Sequence, residues 1–172
     1  MNTGAGTPPR IKNVFIPKPV GNPRSPSFQS SHTQIDSIEE TFARSVESMS
    51  TGDRTYYRSG DGRLALPYVG SGLWGPITGI LAMTEDLSTI DGITIMHQEE
   101  TPGLGSRIAE HEYLLKFIDK KPTNGLKMTQ PGRATANDEI DSISGATMSS
   151  KAFIEIINTE YGVYRVSLEG GS

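Results

Sequence analysis

A chain of 172 residues, 34% of them hydrophobic and with a formal charge of −4, has the length of one domain, can bury a core and leaves no room for a second catalytic domain. No basic run appears, which argues against a nucleic-acid partner and a polybasic membrane anchor. With no cysteine, disulfides, thiolate-held iron–sulfur clusters and cysteine zinc sites are excluded, so a redox role would need a bound organic cofactor.

Residues 1–34 are rich in Pro, Gly, Ser and Thr and read as an N-terminal arm, flexible apart from a short apolar island at Ile11 to Ile16. The start, MNTGAGTPPR, shows no apolar stretch of the kind found in a signal peptide or membrane span, which predicts a soluble chain. The domain proper is expected over 35–172. It opens with a helix in which Ile35, Ile38, Phe42, Val46 and Met49 share one face. DRTYYR and RLALPYV flank a Ser59-Gly60-Asp61-Gly62 turn and predict a hairpin, with Pro67 marking its second strand as an edge or irregular strand. Ile77 to Met83 and Ile93 to His97 predict further strands.

Ser106 is placed to cap a helix reaching about Lys120, with Ile108, Leu115 and Ile118 on its apolar face and Pro122 beyond its end. A short strand near Leu126 to Thr129 and a polar loop lead to Asp141. From Met148, the sets Met148, Ala152, Ile156 and Phe153, Ile157, Tyr161 recur at helical spacing, with Gly162 as a stop and VYRVSL as a returning strand. Hairpins grouped together with helices between them predict an α+β domain with a mainly antiparallel sheet and packed helices.

Three motifs carry chemistry. In Asp141-Ser142-Ile143-Ser144-Gly145-Ala146-Thr147, small residues and a hydroxyl open the last helix, where backbone amides and the helix dipole favour an anion such as phosphate. A purely structural reading makes Thr147 an N-cap and Asp141 a turn residue. Gly70-Ser71-Gly72-Leu73-Trp74-Gly75 matches the dinucleotide pattern G-x-G-x-x-G, but PITGIL after it reads as strand where that fingerprint needs a helix. Its glycines form a turn, and Trp74 either plugs the core or, with Leu73, walls one side of a flat ring. Glu100-Thr101-Pro102-Gly103-Leu104-Gly105 is either a Pro/Gly turn before a helix or a loop whose amides and side chains meet a polar ligand edge. His32, His97 and His111 are scattered without metal-site spacing, and no catalytic or metal-ligating set is identified.

The Asp-x-x-Ser-Gly-Ala-Thr string resembles the flavinylation motif of the FMN-binding domain family, in which a flavin transferase esterifies the last threonine to the phosphate of FMN. Together with the Gly-Leu-Trp-Gly, Glu85 to Ile93 and Thr-Pro-Gly-Leu-Gly stretches, the chain resembles the C subunit of the sodium-translocating NADH:quinone oxidoreductase, with the G subunit of the Rnf complex as near neighbour. The resemblance implies an α+β FMN-binding domain that relays electrons to and from other redox subunits of a membrane complex, on the extracytoplasmic side of the bacterial cytoplasmic membrane. It further implies covalent FMN on Thr147, flavin contacts from Ser144, Gly145, Ala146, Leu73, Trp74, Glu100, Thr101, Gly103, Leu104 and Gly105, and recognition of Asp141 by a Mg-dependent flavin transferase. Ser144 and Ser149 are the next candidates for the acceptor. The rival reading is a non-redox module that binds a phosphorylated ligand or docks to such a complex. A reductase turning over NADH directly is disfavoured because the sequence contains no sustained nicotinamide-binding pattern.

Overall fold

Alternating burial along consecutive strands builds the main sheet. The computed structural model of the chain describes residues 46–52 and 54–169. Strands β1 (Val46–Thr51), β2 (Arg54–Ser59), β3 (Leu64–Ser71), β4 (Pro76–Met83) and β5 (Ile90–His97) form an antiparallel meander in sequence order. On β3 and β4, Leu64, Leu66, Tyr68, Ile77, Leu81 and Met83 recur at even spacing and are buried in the core, while Ile80, on the other face of β4, is buried outside that cluster. A second, parallel pair, β6 (Lys127–Thr129) and β7 (Glu139–Asp141), stands apart from this sheet. The predicted α+β class and antiparallel sheet are observed.

The predicted opening helix is corrected where it can be seen. Val46 and Met49 lie in β1, paired with Ser59 and Tyr56 of β2, so cross-strand pairing prevails over the helical spacing; the rest of that segment falls outside the described residues, as do the arm and its apolar island. Pro67 sits in the third of five strands, not at an edge. The ladder between β2 and β3 pairs Ala65 and Leu64 only, so Pro67 lies beyond the stretch where a missing amide would break it.

The segment after the TPGLG loop is not the single helix expected. It comprises a 3-10 turn (Gly105–Ala109), the short α1 (His111–Leu114) and another 3-10 turn (Leu115–Phe117), broken at Glu110, whose backbone is extended. Packing decides this. Ile108, Tyr113 and Phe117 are buried while Leu115 is exposed, because Tyr113 and Phe117 stack edge-on at 5.6 Å and Phe117 meets Phe153 at 5.3 Å.

The closing helix α2 (Thr147–Glu169) lies along the core face against β3. It runs through Gly162, and the predicted VYRVSL strand is its last turns. A glycine inside a helix costs about 1 kcal/mol relative to alanine, which the burial of Tyr161 and Tyr164 on either side outweighs at about 1.5–3 kcal/mol per large apolar side chain. The Tyr161 hydroxyl donates to Leu87 O at 3.0 Å and the Tyr164 hydroxyl to Pro67 O at 2.9 Å. Arg54 forks onto the buried Glu160, and Asn158 bonds both backbone groups of Leu126 at 2.7 and 2.9 Å. These ties fix the second half of α2 against the sheet and against the residue that leads into β6. No helix among the described residues is long and apolar enough to cross a membrane.

Candidate functional site

The Asp141 to Thr147 segment leaves β7, turns and enters α2. Gly145 takes φ +82°, a left-handed conformation that a side chain would resist, and the turn closes with Ala146 N donating to Ile143 O at 2.9 Å. Ala146, not Thr147, caps α2: its carbonyl accepts from Ser150 N at 2.9 Å, the first helical bond, and Thr147 is the first helical residue. Among the described residues, no acceptor meets the amides of Thr147, Met148 and Ser149, which are the open donors of a helix start. Ser144, Gly145 and Thr147 are exposed, while Ala146 is buried.

The underside of this turn is pinned by a residue that sequence reasoning passes over. Ser150 is fully buried; its hydroxyl donates to Ala146 O at 2.9 Å and accepts from Ile143 N at 3.1 Å. A serine four residues after the end of a turn, with its hydroxyl free to bond back to the i−4 carbonyl, is the signal that could have found it. Ser149 is buried as well, unlike Ser144, so its candidacy as an alternative acceptor fails on access.

Two other segments are tied to this turn or to the first turn of α2. Gly72 N donates to Gly75 O at 2.8 Å and tightens the loop that carries Leu73 and Trp74. Trp74 is 69% exposed, which overturns the core-plug reading, and Leu73 is exposed beside it. In the TPGLG loop, Thr101 O accepts from Leu104 N at 3.2 Å and Ser106 N at 3.1 Å, while Ser106 Oγ accepts from Gly103 N at 3.1 Å rather than capping a helix. Thr101, Gly103 and Leu104 are exposed and Gly105 is buried. Leu104 hangs over Gly145, its Cδ2 3.8 Å from the point a β-carbon there would occupy, and Arg107 Nη1 donates to Ser144 O at 3.3 Å. Arg107 is a second residue that sequence reasoning misses, because nothing in its local pattern singles it out.

Glu100 joins all three segments. It is 3% exposed; Oε1 accepts from Leu73 N at 2.7 Å and Trp74 N at 3.3 Å, and Oε2 accepts from the Ser149 hydroxyl at 2.5 Å. The glycines beside it leave it room: a β-carbon on Gly72 would lie 2.5 Å from Oε1, and one on Gly105 would lie 2.5 Å from Ser149 Oγ and 2.9 Å from Oε2. Both carboxyl oxygens are therefore occupied by the protein.

Asp141 faces the other way. Its Oδ1 accepts from Arg133 N and Ala134 N at 2.8 Å each and from Thr129 Oγ1 at 3.2 Å, and Oδ2 lies 3.4 Å from Lys116 Nζ. Burial alone would raise its pKa, but the two amides, the hydroxyl and the ammonium outweigh it and hold the carboxyl below its usual range. Next to it, Glu139 Oε2 accepts from Thr135 N at 2.9 Å and Ala136 N at 3.1 Å, so two carboxylates of β7 hold four successive amides of the 130–138 loop.

The site is an open shelf. Leu73, Trp74, Leu104 and Met148 expose apolar surface on segments that Glu100 and Gly145 bring together, next to the open amides of the helix start. Such a surface suits a ligand with a flat apolar ring and an anionic tail, and FMN has both. The donor set and the absence of a side chain at Gly145 fit that group.

Comparison with known proteins agrees. Residues 72–161 match the FMN-binding domain family. Over 94 residues the chain is 38% identical to the C subunit of the Na(+)-translocating NADH-quinone reductase of Haemophilus ducreyi, covering 52% of this chain and 37% of that protein. The corresponding protein of Vibrio anguillarum is 30% identical over 120 residues, covering 65% and 47%. The chain thus spans less than half the length of these relatives. The fold superposes on the crystal structure of NqrC from Shewanella oneidensis with a TM-score of 0.63 at 20% identity, covering 73% of this chain and 82% of that one. It also superposes on the C subunit of the Na(+)-translocating NADH-quinone reductase from Parabacteroides distasonis with a TM-score of 0.58 at 27% identity, covering 82% and 71%. With this match across half of its length, the same three segments that build the shelf, and the shared fold, the chain belongs to the FMN-binding domain family.

Proposed function

We propose that the domain carries FMN as a phosphoester on Thr147 and serves as an electron relay. The observation that carries this reading is the position of Thr147: exposed, first in α2, and next to helix-start amides with no acceptor of their own among the described residues. In the adduct a bond from Thr147 Oγ1 to the flavin phosphorus replaces the threonine O–H and one phosphate oxygen, so the product has the mass of protein plus FMN less water. The amides of Thr147, Met148 and Ser149 would stabilise the phosphodiester charge, with Ser144, Gly145 and Ala146 forming the close-approach turn. Leu73, Trp74 and Leu104 would hold the ring, and Thr101 and Gly103, both exposed, would offer polar contacts at its edge.

Bound FMN supplies reversible uptake of one or two electrons. A phosphoester lies several bonds from the ring and should barely alter its electronics, so Thr147 contributes retention, and the ring contacts contribute orientation and tuning. Asp141 belongs to installation. Its carboxyl is committed to the 129–134 loop and to Lys116, which favours a role in presenting a shaped loop to a Mg-dependent flavin transferase.

The likeness to the quinone-reductase relatives supports a place in an NADH:quinone reductase of the sodium-translocating type; there the domain would exchange electrons with other redox subunits on the extracytoplasmic side of the membrane. The test is co-production with a flavin transferase, comparing the parent chain with Thr147→Ala on a denaturing gel. In-gel flavin fluorescence from the parent only is expected. Fluorescence from both would move the acceptor elsewhere, and a parent that stays colourless and non-fluorescent would leave the non-redox binding module.

A further inference from the structure

We infer that Glu100 is a positioning residue that holds the ring wall in register with the point of attachment. The inference rests on the reading of Thr147 and the 72–75 loop as one FMN site. It starts from a costly arrangement: a carboxyl group 3% exposed is taken out of water and then used up by three donors from two segments distant in sequence. Two of those donors are the amides of Leu73 and Trp74, the exposed apolar pair; the third is Ser149, two residues after Thr147 and in the same helical turn. One side chain therefore spans the gap between the group that would contact the ring and the group that would hold the phosphate.

The surroundings are cut to fit this strut. Gly72 and Gly105 both lack the β-carbon that would collide with a Glu100 oxygen, and Glu100 N is itself fixed by Gln98 Oε1 at 2.6 Å. Ligand contact is not needed to explain any of it, since both oxygens already have protein partners. What the arrangement fixes is the 72–75 loop. Without Glu100, its exposed tryptophan would hang on a turn closed by the Gly72–Gly75 bond, with no tie to α2 through this carboxyl.

Glutamine separates geometry from charge. Its amide oxygen can accept from the two loop amides and its NH2 can donate to Ser149 Oγ, so the strut survives without a carboxyl. The experiment uses the full chain in two forms, flavinylated and as the flavin-free Thr147→Ala protein, each with Glu100→Ala and Glu100→Gln. In the flavin-free form, emission anisotropy of Trp74, the only tryptophan, should fall with Glu100→Ala and be restored with Glu100→Gln. In the flavinylated form, Glu100→Ala should keep the covalent flavin but shift its absorption bands, with Glu100→Gln returning them toward the parent.

Folded Glu100→Ala protein with parental anisotropy and parental flavin bands would overturn the inference. Should Glu100→Ala not fold, Ser149→Ala cuts the tie to α2 alone: a fall in Trp74 anisotropy supports the strut, and no change refutes it. If the parent chain takes up no flavin, the site reading fails, but the anisotropy comparison still decides whether Glu100 fixes the loop.

Discussion

Replacing Gly105 by alanine probes the packing beneath the shelf with a single methyl group. The new β-carbon would lie 2.5 Å from Ser149 Oγ and 2.9 Å from Glu100 Oε2, both on buried side chains that cannot swing into solvent. Relief requires either moving α2 away from the TPGLG loop or breaking the bond between Ser149 and Glu100. Overpacking of this kind costs about 1–3 kcal/mol, and losing a buried hydrogen bond to a carboxyl adds about 1.5–3 kcal/mol if that route is taken instead of full displacement. A destabilisation of about 3 kcal/mol is the expected outcome, read as a lower urea midpoint at unchanged slope. Gly103→Ala is the internal control. It stands two residues away at φ +71° with open space around it, so only its left-handed backbone is penalised, at about 1–2 kcal/mol. Should Gly105→Ala fall within about 0.5 kcal/mol of the parent, or be milder than Gly103→Ala, the close packing around Glu100 would be refuted.

Gly162→Ala should stabilise the protein by about 0.5–1 kcal/mol, because Gly162 is inside α2 with nothing within 4 Å of a new β-carbon; a loss of stability by thermal melting would contradict a continuous helix there. Acid should loosen the 130–138 loop before the sheet unfolds. Asp141 and Glu139 have folded pKa values below their ordinary 3.8 and 4.5, so their contribution is complete at neutral pH and is lost as pH falls through those lowered values. Amide exchange at Arg133 to Ala136, after correction for intrinsic pH dependence, should accelerate there, and Asp141→Asn should bring the acceleration to neutral pH for Arg133 and Ala134 first; uniform protection across that range would count against the two-carboxylate clasp. Asp141→Ala should also slow flavin attachment while leaving the Thr147 turn folded, measured as flavin fluorescence against time with the transferase; attachment at the parental rate would make Asp141 a loop residue only.

Much of the sheet and the site is legible because its signals are local. The alternation in RLALPYV reports a half-buried strand, the apolar run in PITGILAM reports a strand buried on both faces at Ile80 and Leu81, and Gly145 before a helical repeat reports a turn into a helix. The signals that mislead are those that packing can override. Gly162 is a stop in isolation, yet Tyr164 finds a partner in Pro67 O only if the helix continues. Ile108, Leu115 and Ile118 share a helical face, but Tyr113 and Phe117 are the residues that reach Phe153. Met49 and Val46 fit a helical stripe and also fit a strand, and the ladder to β2 decides between them.

At the site, exposure rather than identity is hidden. Trp74 could serve core or surface from its sequence context, and the structure puts it outside. Glu100 stands out as a polar residue beside a glycine-rich loop, but its partners, Leu73, Trp74 and Ser149, lie up to 49 residues away along the chain, and no local pattern reports such a bond. Arg107 and Ser150 are ordinary helical-turn residues until the fold brings them against Ser144, Ile143 and Ala146.

The most direct test of covalent FMN on Thr147 is peptide mapping of the chain co-produced with a flavin transferase. Trypsin should release the segment between Arg133 and Lys151, which contains Ser142, Ser144, Thr147, Ser149 and Ser150 as well as Thr135. The expected result is one adduct of FMN less water on that peptide, with fragment ions placing it on Thr147. An adduct on Ser144 or another hydroxyl, or an unmodified peptide from protein that nevertheless holds flavin, would contradict the account.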